Sequence, residues 1–434
     1  MKRVRATLIA FIATITAVGA SATEKDPESW SLTWNNGTVI ERNDGYHKIK
    51  IGGRIQTDFA IISESESLMR LVGGNGSGVE FRRARIFTEG TLFDKVIFKG
   101  QYDFADQDVD WKDVYVGLKK PCNCIDKLKI GHFKEPFSLE ELTSSKYLTF
   151  MERALPNVFA PSRNTGIAVN GTQFDERMTW AAGGFRDVDD SGGGFSSEGM
   201  YQLTGRVTGL PLYQEGGRKL VHFGLGYTHQ FRDMASLRYA TEAEAHLGED
   251  YVDTDASPHV LLDGDGEVIP AIAGVESIDK LGVELAWGHG PFSLQGEYMA
   301  SWVDRSGAGD LDFWGVYGMV SYFLTGEHRP YKTSSATFSR VKPKKNFDPS
   351  KGDWGAWQLA FRYSYLDLED MDIRGGSMSD ITAAVNWYLF PNLRFMANYT
   401  FSNPMSDAGR SGTGSNSTSV GKANIFQMRA SFDF

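Results

Sequence analysis

From about residue 47 to the C-terminus, apolar and polar positions alternate with period two. In "LRFMANYTF", Leu393, Phe395, Ala397, Tyr399 and Phe401 share one face, and Arg394, Met396, Asn398 and Thr400 share the other. "VHFGLGYTHQ" sets Val221, Phe223, Leu225 and Tyr227 against His222, Gly224, Gly226, Thr228 and Gln230, and "LGVELAW", "WQLAFRY" and "ITAAVNW" repeat the pattern. A half-exposed sheet of a soluble sandwich alternates too. About sixteen such segments, bordered by aromatics, instead predict an all-β fold: a transmembrane antiparallel β-barrel of about 16 strands, with lipid outside and water inside.

Connection lengths orient the barrel, because outer-membrane barrels have short periplasmic turns and longer external loops. Counting from a first strand near 47–61, the even connections are short, as at 93–95, 121–127, 173–176, "GHGP" and 390–392. The odd ones are mostly longer: 64–77, 134–163, 187–197, 233–277 and 403–421. Both termini then face the periplasm, with one long exception, 326–354, on that side. The last segment, "KANIFQMRASFDF", puts Phe426, Met428, Ala430, Phe432 and Phe434 on one face, as expected of a closing strand with a terminal Phe.

The N-terminus explains how such a chain leaves the cytoplasm. Lys2, Arg3 and Arg5 precede an apolar run from Ala6 to Gly19, and Ala20-Ser21-Ala22 is a small-x-small cleavage site, which predicts a signal peptide over 1–22 and a single barrel domain over 23–434. Its three charges are all basic, so removing it turns 45 basic against 55 acidic residues into 42 against 55, a net charge of about −13. That balance gives no bulk attraction for nucleic acid. Beyond residue 22 no run approaches the roughly 20 apolar residues of a membrane helix, so any span uses strands. Forty-eight glycines, 55 aromatics and only 14 prolines suit strands and tight turns.

One stretch, "GVEFRRARIFTEGTLFDKVIFKGQYDF" (78–104), carries three arginines within four positions. By alternation Arg83 and Arg85 share a face with Glu89, while Lys50, Arg54, Gln56 and Asp58 share a face opposite Ile49, Ile51 and Ile55. Charge on the lipid face costs about 2–4 kcal/mol at mid-bilayer, so both polar faces turn inward. Arg82 has the other parity, which places it near a strand end or at a bulge. Arginine keeps its charge when desolvated, and its planar fork matches phosphate oxygens. The competing reading is that these arginines only pair with lumen carboxylates such as Asp58, Glu89 or Asp103.

Several long motifs occur together in one order: "KIKIGGRIQTDF" (48–59), "FRRARIFTEGTLFDKVIFKGQYDF" (81–104), "LKIGHFKEPFSLEELTSSKYLTFMERAL" (128–155), "YFLTGEHRPYK" (322–332) with "RVKP" (340–343), and "GAWQLAFRYS" (355–364). With these the chain resembles the phosphate-selective porin O and P family. The resemblance implies a 16-stranded outer-membrane barrel of a Gram-negative bacterium, usually a homotrimer, whose third loop folds into the lumen and whose arginines draw anions through a constriction. It matches Arg54, Arg82 and Arg83 to the family's constriction arginines and Arg153 to one at the inner loop. Arg85, Lys112, Lys134 and Lys146 complete the candidate anion-binding set. The expected partners are inorganic anions, phosphate first, with outer-membrane lipid and the assembly machinery; no cofactor and no catalysis are expected. In 134–163, Ser138 and Glu141 form an S-x-x-E capping box, and Thr143, Ser144 and Ser145 offer hydroxyls.

The chain also departs from the family. Lys112 stands where phosphate-specific members have an acid, Glu141 where they have a lysine, and Lys134 and Arg85 where they have aromatics. Loop 233–277 holds eleven acidic side chains and one basic, Arg238. A basic cluster remains at Arg329, Lys332, Arg340, Lys342, Lys344, Lys345 and Lys351, read either as functional or as a solvated charge run. Cys122 and Cys124 lie on a turn, as a strained staple or as unpaired thiols, and "LDGDGEV" (261–267) lacks the distal Glu of a calcium loop. Four functions compete: a passive anion porin of phosphate or polyphosphate type, a general or cation-tolerant porin, a plugged structural or receptor barrel, and a membrane hydrolase.

Overall fold

The computed structural model describes residues 26–434 except 73, 75, 106–108, 190, 195–199, 256–271 and 407–417. The expected signal peptide and the "LDGDGEV" segment lie outside the described residues. Sixteen antiparallel strands form the wall: β1 Lys48–Glu64, β2 Ser77–Leu92, β3 Val96–Asp103, β4 Asp110–Cys122, β5 Ile125–Lys134, β6 Arg163–Gln173, β7 Met178–Arg186, β8 Tyr201–Gln214, β9 Lys219–Leu237, β10 Ile272–His289, β11 Phe292–Arg305, β12 Leu311–Phe323, β13 Ala356–Asp370, β14 Ile373–Phe390, β15 Leu393–Ser406 and β16 Ala423–Asp433. β16 pairs with β1, Met428 opposite Phe59 and Phe432 opposite Ile55, so the sheet closes and no edge meets lipid. Closure ends on the terminal residue: Gly53 donates to the Phe434 carbonyl at 2.7 Å, and Phe434 donates back at 3.1 Å. A Cβ on Gly53 would meet the Arg85 carbonyl and the Phe434 ring, each at 2.6 Å, which is why glycine stands there.

The alternation is realised as expected. Phe395, Tyr399, Phe426, Met428 and Phe432 face outward and exposed, while Arg394, Asn398, Gln427 and Arg429 are buried inside. At the periplasmic ends of β13 and β14, Trp357 and Trp387 stack at 5.1 Å, the kind of aromatic border that sits at a membrane interface. Turns such as 93–95, 174–177 and 391–392 are short, and 324–355 is the long periplasmic exception. On the external side, β13 and β14 are joined by only Met371 and Asp372. A hairpin, Trp30–Trp34 with Thr38–Arg42, was not anticipated; it pairs along the periplasmic end of β1, Thr38 opposite Ile51.

Inside, the lumen is not uniformly polar. Toward the external end of β10 to β14, Val275, Ile278, Val303, Leu311, Phe313, Leu366 and Met378 are buried and apolar. They form one cluster with Phe137, Leu155 and Phe159 of segment 135–162 and with Tyr239, Ala243, Tyr251 and Val252 of segment 238–255. From below, Tyr331, Ala336 and Phe338 of 324–355 pack on Leu139, Leu210, Leu220 and Ala286. Three inserted segments therefore fill one side of the barrel and leave space along β1 to β8. Two further latches are ionic: Glu244 bridges to Arg362 at 2.6 Å and accepts from Ser364 and Thr382, and Arg340 pairs with Asp433.

The basic run 329–351 divides. Arg329 and Arg340 are buried within the barrel, whereas Lys344, Lys345 and Lys351 are exposed, with Lys345 paired to Asp353 and Lys351 to Asp348. Cys122 and Cys124 are free, exposed thiols with sulfurs 3.1 Å apart, so the staple is not formed.

Candidate functional site

The open side begins at Arg82. The β1–β2 register runs Gln56 opposite Arg83 and then Thr57 opposite Phe81, so Arg82 is the extra residue of a β-bulge. The bulge turns an out-of-phase side chain inward, where Arg82 donates to both oxygens of Glu152, at 2.9 and 3.1 Å. Arg83 donates to Gln56 at 3.1 Å and lies 3.8 Å from the same Glu152. Arg85 pairs with Asp103 on β3, and Arg54 donates to the Ser145 hydroxyl across the lumen.

Segment 135–162 supplies the opposing wall. Ser138 caps the short helix Leu139–Leu142 by accepting from the Glu141 amide at 3.0 Å, half of the expected capping box. The other half is replaced. The Glu141 carboxylate turns away to Lys134 at 2.7 Å and Arg153 at 2.9 Å, while Glu297 of β11 accepts from the Leu139 and Glu140 amides. Arg362, Arg394 and Arg429, on β13, β15 and β16, hold the carbonyls of Glu152, Leu148 and Met151. The segment is thus pinned by strands on both sides of the barrel.

Between these walls lies a cavity of about 520 Å³, onto which all eight candidates, Arg54, Arg82, Arg83, Arg85, Lys112, Lys134, Lys146 and Arg153, converge. Lys50, Lys99 and Arg163 join them, making eleven cationic side chains against three acidic ones, Glu89, Asp113 and Glu141. Lys99 was legible in the sequence, since it alternates in phase with Gln101 and Asp103; Arg163, at a strand start after a long loop, was not. Both are held by Asp113, Lys99 at 3.1 Å and Arg163 at 2.9 Å. The pairing of arginines with lumen carboxylates is present at Arg85 and Asp103, and two lysines are paired as well: Lys112 reaches Asp110 at 2.9 Å, and Lys146 lies 3.8 Å from Asp433. The acids behind the wall orient the cations without matching them in number. Among the described residues, none of the acidic loop 233–277 lines this cavity.

Burial and then neighbouring Arg54 push the Lys146 ammonium down to about 8. Burial opposes ionisation of Glu141, but Arg153 and Lys134 outweigh it and hold that carboxyl at about 2. Toward the periplasm a second cavity of about 280 Å³ shares Lys134 and Leu142 with the first, which mark the neck between them, and adds Lys127, Lys129 and the hydroxyls of Ser334, Ser335 and Thr337. Side by side, the two cavities make a basic track along this part of the lumen.

Known proteins agree with this architecture. The family model for phosphate-selective porin O and P matches residues 49–434. Porin O of Pseudomonas aeruginosa is 29% identical over 419 residues, spanning 90% of this chain and 89% of that protein. Among solved structures, the anion-selective porin of Comamonas acidovorans aligns at TM-score 0.54 with 13% identity, over 89% of this chain and 100% of that one. The trimer form of OmpT, an outer membrane protein of Vibrio cholerae, aligns at 0.55 with 12% identity, over 89% and 99%. With the closed 16-strand barrel and a family match over nearly all its described length, the chain is a passive porin of the Gram-negative outer membrane and belongs to the phosphate-selective porin O and P family.

Proposed function

We propose that this porin is an anion channel of the phosphate or polyphosphate type and that its selectivity is set where Arg54, Arg82, Arg83, Arg85, Lys112, Lys134, Lys146 and Arg153 meet. The observation that carries the reading is that eleven cationic side chains line one cavity of about 520 Å³ against three acidic ones, and that they still outnumber the acids when Glu152, Asp103, Asp110 and Asp433, paired to them from behind, are counted. In a narrow passage with low-dielectric walls such a surplus concentrates anions and repels cations. Arginine forks and the Ser144 and Ser145 hydroxyls suit a hydrogen-bonding oxyanion better than a bare halide. Planar-bilayer recording in a KCl gradient tests this: the reversal potential has the sign of chloride selectivity, and added phosphate blocks the chloride current. A cation-selective reversal potential refutes it and favours the general porin.

A homotrimer fits the barrel's uneven height. β3, β5 and β7 have 8, 10 and 9 residues, whereas β8 to β11 have 14 to 19. A tilted strand needs about 9–11 residues to cross the hydrocarbon layer, so β3 falls short of it while β5 and β7 only just reach it, and this low wall gains from facing protein rather than lipid. The closing strand ending in Phe434 is the feature the assembly machinery would engage, after export directed by residues 1–22.

A further inference from the structure

We infer that Glu141 is a specificity-determining residue: a fixed carboxylate that weakens the pore's hold on oxyanions at its neck. The inference rests on the anion-channel reading above and assigns a part of it to one side chain. Glu141 is 2% exposed and stands between two cations of the track, Lys134 at 2.7 Å and Arg153 at 2.9 Å. Lys134 borders both the upper and the lower cavity, so this ion pair lies at their junction.

Without that carboxylate the two cations would stay where they are. Arg153 donates to the carbonyls of Glu140, Glu141 and Thr143 at 3.3, 3.1 and 3.4 Å, and Lys134 donates to the Glu141 carbonyl. Removing the charge therefore changes the potential at the neck more than its shape. Two cations facing one carboxylate leave a single positive charge there; without Glu141 the excess is two. Conduction needs a site deep enough to admit the ion and shallow enough to release it. With one net charge the neck favours passage, and with two it favours retention of a multiply charged oxyanion.

The test is block of the chloride current by inorganic phosphate at pH 6, where Lys146 stays charged, in the trimeric protein carrying Glu141→Gln, Glu141→Asp or the pair Lys134→Met with Glu141→Gln. The expected result is a half-block concentration at least tenfold lower in Glu141→Gln, and within twofold of the parent in Glu141→Asp and in the double variant, which keep the net charge of the neck. A Glu141→Gln channel blocked like the parent overturns the inference, as does a Glu141→Asp channel that behaves like Glu141→Gln, since shape rather than charge would then act. Should Glu141→Gln fail to insert, Lys134→Met decides: with Glu141 left in place the half-block concentration must rise at least tenfold, and no change overturns the inference. Cation selectivity in the parent protein would instead sink the anion-channel reading itself, so the two failures are distinguishable.

Discussion

Arg54 offers the sharpest test of the cationic cavity. Nine of the eleven cavity cations have a carboxylate within 4.0 Å; among the described residues Arg54 and Lys50 have none. The field of a paired cation is largely cancelled a few ångströms away, so an unpaired one contributes more than its share to the attraction of a passing anion. An ion about 8 Å from the guanidinium, in surroundings of effective dielectric constant about 20, gains about 2 kcal/mol, roughly thirtyfold in occupancy for a monoanion and more for a dianion. Arg54→Met keeps the stem and removes the charge together with one hydrogen bond to Ser145. Phosphate should then block the chloride current at roughly thirtyfold higher concentration, and the reversal potential should move toward cations. Arg54→Lys should retain most of the selectivity and lose only what the fork supplied. Lys345→Met is the control, because Lys345 is exposed on the periplasmic segment and screened within about 8 Å at physiological salt. An Arg54→Met channel within twofold of the parent in block and unchanged in reversal potential would refute the reasoning.

Deleting Phe434 should reduce insertion without stopping export, because the Gly53–Phe434 backbone pair that seals β16 to β1 is lost; the fraction of heat-modifiable protein in outer-membrane extracts measures it. With its ammonium held at about 8 by burial and then by Arg54, Lys146 is charged below that pH and neutral above it, so chloride selectivity should decline as pH rises from 7 to 9, and Lys146→Met should abolish the step. Replacing Arg83 by Ala should lower chloride conductance and weaken phosphate block, Lys preserving part of both. Glu244→Ala leaves Glu140, at 3.3 Å, as the one carboxylate on Arg362 among the described residues and unlatches segment 238–255, so single-channel current should become larger and noisier; a quiet trace of unchanged size would show that the latch is dispensable.

The wall was legible because it obeys two local rules. Period two puts Arg394 and Asn398 inside and Phe395 and Tyr399 outside whatever else the chain does. The out-of-phase Arg82 likewise pointed to a strand end or a bulge, and the bulge is what the strand adopts, since a charge facing lipid is costly. What fills the lumen follows no such rule. Val275, Ile278, Val303 and Phe313 look like any sheet residues, and only long-range packing of Phe159 and Tyr239 against them explains an apolar inner face. The N-terminal hairpin was hidden for a related reason: two five-residue strands give too short a period to stand out from loop. At the site, Lys99 and the arginines of β1 and β2 could be phased from sequence, while Arg163, at the very start of β6, and the redirection of Glu141 from its capping box to Lys134 depended on where a 28-residue segment came to rest.

The way segment 135–162 is pinned bears on the order in which this molecule is made. Three of its anchors, Arg362, Arg394 and Arg429, leave the ribosome 210 to 278 residues after the carbonyls they hold. Arg340, the latch of the periplasmic segment, closes on Asp433, next to the last residue of the chain. The constriction can therefore take shape only once the final strands are in place. A barrel arrested before closure would be wide as well as open-sided, and the narrowing of the lumen by segment 135–162 would be the last part to be built.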